Sequence, residues 1–576
     1  MKRIILIIAL GILGCAAKAQ WVSPGSGHAY TLDELVAVSN GTVTMQSPSI
    51  YNVNGDLTIA ESDTLLIGTA NNLSITDQTL ITVKGSMICL ESNEPEPNSV
   101  SGKDGGVYNW LFENASHNYL WNIHFSDCGG IKLMESEITF QDCEFAGFTT
   151  QYCSNAIDYF QCNPRIIHCS FHDNEGPAIG SAVNIQGSPE IVNCTLYNNV
   201  TANVNKPQIN IGPSGENPIR IEGNRIEGVA SDMVGGIAIT NLSSETAKAI
   251  ITGNIILSNR YGYTQMGYGF DVEFTDNDVI DNNLETNPMN GGSGLSIYGM
   301  NNDCKIKMRR NHITGNLWGI TAISACDIDL GTESDPGDNA IYGNGNGGTR
   351  YELYNNSSSD ITAIGNYWGS NDPDEVEELI VHQPDQASLG LVTYLPIKEL
   401  HPVMLDFVLL AKDNPALQND YQGTIDQENH SVTVELTEDC DLSDVVVRYR
   451  ADIGVSGSPA SGEHLDFTTP VTITLSTYHG ESQAYIVTIS KPESIEETTS
   501  SIKAFPNPSQ GDITLEFPEK EACVEIFNTL GQSVLTIENH LSGNRLDLST
   551  LQAGTYFVTL SRGNKILSKT TIILAK

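Results

Sequence analysis

Between Asp142 and Trp368 one short hydrophobic–polar phrase keeps returning: a Cys or Asn, any residue, an apolar residue, two more, and often an Asn. It reads Cys143-Glu144-Phe145, Cys169-Ser170-Phe171-His172-Asp173-Asn174, Cys194-Thr195-Leu196-Tyr197-Asn198-Asn199 and Asn224-Arg225-Ile226. It continues from Asn254, Asn277, Asn311 and Asn339 and closes at Asn366-Tyr367-Trp368. Successive phrases lie between 23 residues (Asn254 to Asn277) and 34 residues (Asn277 to Asn311) apart. The stretches between them alternate apolar with polar and are rich in β-branched residues, as in SAVNIQG from Ser181, GGIAITN from Gly235, GLSIYG from Gly294 and WGITAIS from Trp318. They are too short for amphipathic helices and are punctuated by Gly and Asn. A period in this range means stacked units, each burying its apolar face only against its neighbours. Short strands and turn residues at such a period predict a parallel β-helix.

Asn suits the recurrent corner because it tolerates left-handed backbone and its amide can bond backbone groups. Stacked coil on coil at about 4.8 Å, such side chains form a ladder. The expected rungs are Cys143, Cys169, Cys194, Asn224, Asn254, Asn277, Asn311, Asn339 and Asn366. The three cysteines read as small buried hydrophobes. A disulfide between adjacent coils demands strict geometry, and no paired CxxC spacing suggests zinc.

With these residues in view, the chain resembles the right-handed parallel β-helix repeat family, the pectate-lyase-like fold. The closing text AIGNYWGSNDPDEVEELI, with YLP at Tyr394, is similar to the last coil of many such bacterial proteins. The resemblance covers about Tyr30 to Pro396; it is specific for fold and says little of activity.

The flanks divide the rest. Met1-Lys2-Arg3, the apolar run Ile4–Leu13 and Ala17-Lys18-Ala19 read as a secretory signal peptide over 1–19, leaving Gln20 first. The competing reading makes Cys15 a lipoprotein cysteine. The text YTLDELVAVSNGTVT from Tyr30 predicts a short helical or irregular cap, needed because open coil ends expose strand edges. LTIAESDTLLIG and LITVKGSMICL read as early coils, and the polar stretch Glu91–Val107 as a loop. The β-helix with its cap is expected over 20–400. Alternating strands such as SVTVELTE and PVTITLST then predict an Ig-like β-sandwich over 401–490, and an acidic Ser/Thr-rich linker occupies 491–500.

Residues 501–576 resemble a second family: Phe505-Pro506-Asn507-Pro508, GDITLEF, VEIFNTLGQSVL, LDLSTLQAGTYFVTL and a basic tail. This order is similar to the C-terminal sorting domain of type IX secretion cargo, a small β-sandwich. The resemblance implies the type IX machinery as partner, with surface attachment or release as the fate. The whole is then an all-β chain: β-helix, Ig-like sandwich, sorting domain.

Charge changes the list of partners. The chain has 70 acidic and 29 basic residues, a net charge of −41, which argues against nucleic acid and anionic membranes. No run of 18 apolar residues suggests a membrane span.

Candidate chemistry is diffuse. The hydrolase pattern NTD, DD and HG on successive coils is absent, and so is an RxPxxR-type lyase motif. Lys305, Lys307 and Arg309, followed by Arg310, form a basic run whose alternation places the first three on one outer face: either a uronate-binding or base patch, or a solvated strand face. Tyr261 and Tyr263, with Tyr268, Tyr298 and Trp318, either stack on sugar rings or pack the coils. Asp327, Asp329, Asp335 and Asp338 suit calcium, the one cofactor candidate, although the spacing is not that of an EF-hand. His168 and His172 with Asp173 read as turn and surface residues. The expected function is binding of extracellular polysaccharide or matrix without catalysis. A polysaccharide lyase or glycoside hydrolase on an acidic glycan is the first alternative; a structural stalk or adhesin is the second.

Overall fold

The computed structural model describes residues 19–91, 96–229, 231–301, 303–492, 502–563 and 565–575. Residues 1–18 of the expected signal peptide and most of the expected linker lie outside them. The strand Ala19–Val22 opens the first sheet.

Three long sheets wind around one core. The first runs from Ala19–Val22 to Ile380–Val381, the second from Ala29–Thr31 to Val392–Thr393, and the third from Val43–Ser47 to Ala340–Tyr342. Strand pairing between coils is parallel, except at the antiparallel start of the third sheet. The alternation in the sequence becomes inside and outside. In the third sheet Phe125, Phe145, Phe171, Leu196, Ile226, Ile256, Val279, Ile313 and Ile341 stand in register on the inner face, all buried. Phe145 and Phe171 stack at 4.4 Å. The end is closed by the helix Leu32–Val38, which carries a Thr31/Glu34 capping box and buries Leu32 and Leu35.

The corner between the second and third sheets holds the predicted ladder. Asn254 Nδ2 donates to Asn277 Oδ1 at 2.9 Å, Asn277 to Asn311 at 3.1 Å, Asn311 to Asn339 at 2.8 Å and Asn339 to Asn366 at 2.8 Å. The thiols continue it: the Cys169 N–H meets Cys194 Sγ at 3.4 Å, and the Cys194 N–H donates to Asn224 Oδ1 at 2.8 Å. The left-handed residue is not the rung itself, as the sequence suggested, but the one before it: Asp142, His168, Asn193, Gly223, Gly253, Asp276, Arg310, Asp338 and Gly365. The rung supplies the amide. The eleven described cysteines are free thiols.

A second ladder fills the corner between the third and first sheets. It runs Asn174, Asn199, Gln208, Asn259, Asn282, Asn316 and Asn344, with Gln208 bridging a coil that has no Asn there. It ends on Glu352, which is fully buried, accepts from Asn344 at 2.7 Å and pairs with Arg350. Burial raises the Glu352 carboxyl above its ordinary pKa.

Two smaller β units follow. Strands from Met404–Leu409 to Ser482–Ser490 enclose their own core around Phe407, Val432, Ile473 and Val487. Their pairing is mainly antiparallel; Ser431–Glu435 and Ser482–Ser490 run parallel. This unit meets the coil wall through Lys398, which bridges Asp338 and Asp452, and through Tyr342 against Tyr478 at 4.7 Å. Strands from Lys503–Phe505 to Lys565–Leu574 form a third unit of two antiparallel sheets.

Candidate functional site

On the first sheet, successive coils place one outward residue each in strict register: Asn210, Ala238, Thr264, Ser296, Thr321 and Tyr354. Their neighbours along each strand, such as Ile237, Tyr263, Leu295 and Ile320, point into the core. The outward row floors an open groove of about 720 Å³.

Aromatic rings and a loop wall the groove. Trp318 begins its strand, lies 4.5 Å from Tyr351 and 5.8 Å from Tyr354, and donates its indole N–H to the Pro288 carbonyl at 2.8 Å. That bond fixes the loop 283–292 beside the floor. Arg260 fixes the same loop, donating through Nε to the Asn290 carbonyl at 3.0 Å and through its guanidinium to Asn205 Oδ1 at 2.6 Å. Tyr261 lies across Gly235, where an added Cβ would sit 2.1 Å from its ring. Met289, 84% exposed, and Met266 add apolar rim. Among the described residues no Asp, Glu, His, Cys, Lys or Arg lines this groove.

Of the aromatic set, Tyr261 and Trp318 line the groove. Tyr263 does not: it is fully buried against Phe274, because strand alternation turns it inward. Tyr298 and the exposed Tyr268 lie outside the lining.

The basic run is on the second sheet, and Arg309, on the same face as Lys307, is covered there instead of exposed. The strand Lys305–Arg309 exposes Lys305 and Lys307 and turns Met308 into the core, while Arg309, in register with the part-exposed Thr275, is buried beneath the Asp329 and Asp335 carboxylates. The Arg309 guanidinium donates to both oxygens of Asp329 at 2.9 Å and to Asp335 at 2.9 Å. Lys307 reaches Asp335 at 2.8 Å, and Lys305 stands between Asp271 and Asp327 in register. Each exposed cation is therefore flanked by carboxylates.

The proposed calcium carboxylates are spent on the same network. Asp329 and Asp335 converge on a guanidinium, which occupies the place a cation would take. Asp338 faces Lys398 at 3.5 Å, and Asp327 is paired in register with Lys305. Among the described residues no group of three His, Cys, Asp or Glu side chains is arranged to hold a metal. The Arg309 and Lys307 hydrogen bonds, in that order, hold Asp335 down to about 2.

A second cleft, about 520 Å³, lies where the coil wall meets the sandwich. There His312 faces Asp278 at 3.3 Å through Nδ1 and the Tyr342 hydroxyl at 2.7 Å through Nε2. Arg310 is held by both oxygens of Asp276 at 2.7 Å. Burial pushes the Tyr342 phenol up to about 12. No sequence pattern marks this cluster, because Tyr342 lies 30 residues beyond His312 and the two meet only through coil stacking. His172, by contrast, sits between Glu144 and Asp173 on the outer wall and stacks on Tyr197.

Comparison with known families matches four segments. Residues 111–279 match the right-handed β-helix region, 273–375 a family described only as a protein of unknown function, 414–489 the N-terminal domain of surface glycan-binding proteins, and 503–574 the secretion system C-terminal sorting domain. No curated protein matches the chain. Among solved structures, a periplasmic alginate epimerase is similar at 13% identity over 65% of this chain and 84% of its own, with a TM-score of 0.42. A putative glycoside hydrolase from Bacteroides thetaiotaomicron is similar at 20% identity over 20% of this chain and 30% of its own, with a TM-score of 0.12. Scores this low carry no argument about chemistry. The glycan-binding domain and the sorting tail mark a glycan-related surface protein.

Proposed function

We propose that this right-handed parallel β-helix protein, which ends in a type IX sorting domain and is exported to the cell surface or secreted, binds extracellular polysaccharide without cleaving it. The groove on the first sheet is the site. The observation that carries the reading is its composition: aromatic rings of Trp318, Tyr354 and Tyr261 beside a row of hydroxyl and amide groups, with no carboxylate, imidazole or amine in the lining. Rings give a sugar an apolar platform, and hydroxyls and amides exchange hydrogen bonds with its hydroxyls. Glycoside hydrolysis needs a pair of carboxyl groups at the scissile bond, and this lining supplies none; its titratable groups are the phenols of Tyr261 and Tyr354.

The test is retardation of the exported chain in gels carrying polysaccharide, with polymer length followed in parallel. Retardation without shortening agrees with the reading; shortening at the groove refutes it. The alternative of a lyase or hydrolase is favoured by one arrangement, the Asp278–His312–Tyr342 chain in the second cleft. Product that forms with the native chain and vanishes with Tyr342→Phe would select it.

A further inference from the structure

We infer that the ligand of the first-sheet groove is an uncharged glycan, extended along the coil axis, and that polymers bearing uronate or sulfate are not held there. The inference rests on the reading of the groove as a glycan site and narrows it to a class. The sequence pointed the other way, toward an acidic glycan on Lys305, Lys307 and Arg309.

Three observations carry it. First, the floor offers Asn210, Thr264, Ser296 and Thr321, groups that both donate and accept but carry no charge. An anionic sugar sinking onto this floor loses water without gaining a cation, and burying an unpaired charge is costly. Second, the groove is lined by the aromatic rings of Trp318, Tyr261 and Tyr354, and such rings carry negative charge on their faces. They suit the C–H face of a neutral pyranose and disfavour a carboxylate. The nearest guanidinium, Arg260, is already turned to the Asn290 carbonyl and to Asn205. Third, the chain carries a net charge of −41, so its long-range field repels polyanions before contact. The lysines that could offset it are paired with acids: Lys132, three coils beyond Asn210 in the same row, stands in register beside Asp158, and Lys305 and Lys307, on the second sheet, are flanked by carboxylates.

Orientation follows from the register. The floor row crosses six coils from Asn210 to Tyr354, about 24 Å at a strand spacing of about 4.8 Å. A linear oligosaccharide of several units lying along the axis meets a hydroxyl or amide on most coils; one lying along a single strand meets only one rung.

The test uses the full exported chain on two sets of immobilised polymers: neutral (laminarin, xyloglucan, mannan) and acidic (alginate, polygalacturonate, a sulfated galactan). The expected result is retention by at least one neutral polymer that changes less than about twofold between about 0.05 and about 0.5 M salt, where exposed ionic contacts would be screened. Trp318→Ala weakens that retention at least about tenfold, an effect of one aromatic contact. Ser296→Asp, an outward change that leaves the core intact, weakens it likewise with an unchanged melting temperature. Retention by acidic polymers alone, abolished by Trp318→Ala, overturns the neutral class while leaving the groove as the glycan site. Retention by no polymer, or retention indifferent to both variants, overturns the class and the site together.

Discussion

The backbone N–H of Cys194 donates to Asn224 Oδ1 at 2.8 Å, and at that contact the buried ladder changes from thiols to amides. On the amide side each rung donates to the next and to a backbone carbonyl one coil behind, as Asn277 does to Asn311 and to Ile251. On the thiol side the sulfur gives weaker bonds of 3.3–3.4 Å to carbonyls. The amide half is therefore the part of the helix most sensitive to loss of a rung.

Asn277→Leu removes the acceptor of the buried Asn254 backbone N–H, one of the acceptors of its side-chain amide, and the side-chain donor to the Ile251 carbonyl. The expected loss is about 1–3 kcal/mol, the cost of an unsatisfied buried group, and Asn254→Asp costs a similar amount. Denaturant unfolding of the β-helix measures both. An unchanged midpoint in the two variants contradicts the ladder.

Arg309 is almost fully buried and held by Asp329 and Asp335. Replacing Asp329 by Ala removes two of the guanidinium's three carboxylate contacts and leaves Asp335 as its acid partner. The expected cost lies toward the lower end of the about 3–5 kcal/mol seen for broken buried pairs, because the partner carboxylates are partly exposed. Asp335 adds a pH signature. Its pKa falls from an ordinary 3.8 to about 2, so its contribution is present above the unfolded value and is lost as pH falls through about 2. The melting temperature of Asp335→Asn should converge on that of the native chain in strong acid and fall below it above pH 4. Parallel curves at all pH values contradict the pairing.

Glu352 titrates with the opposite sign. Burial raises its folded pKa above the ordinary 4.5, so its contribution is complete below that value and is lost as pH rises through the folded pKa. Glu352→Gln keeps an acceptor for Asn344 and carries no charge. It should match the native chain in acid and become the more stable of the two as pH rises. A variant that loses stability with rising pH assigns the Arg350 pairing, not burial, the larger part.

Export depends on the last unit. Deleting Ser501–Lys576 removes the matched sorting domain while leaving the β-helix core, which shares no cluster with it. The truncated chain should accumulate folded in the periplasm. Its normal appearance at the cell surface contradicts the assignment.

The repeat was legible because each coil marks its corner with a Cys or Asn, and the sorting domain because its phrases keep a fixed order. The groove was legible only in part. Tyr261 and Trp318 stand out as aromatics, but Asn210, Thr264, Ser296 and Thr321 are ordinary residues that form a row only when coils of unequal length are stacked in register. Alternation gives Arg309 the face of Lys307, and both reach Asp335, but it does not reveal burial: Asp329 and Asp335 cover the guanidinium only once the next coil is stacked on the strand. Tyr263 takes the second of its two readings and packs the coils. It is two residues from Tyr261, but Tyr261 precedes the strand Tyr263–Gly267, and Tyr263 is the first residue to obey its alternation.

The central claim is that the first-sheet groove, and not the charged second sheet, holds the glycan. Calorimetric titration of a retained polysaccharide into the native chain, Trp318→Ala and Lys307→Ala tests it most directly. The account predicts that Trp318→Ala loses binding by at least about tenfold, about 1.4 kcal/mol or more, while Lys307→Ala binds as the native chain does and no variant shortens the polymer. Native affinity in a folded Trp318→Ala protein, or loss of binding in Lys307→Ala alone, contradicts it.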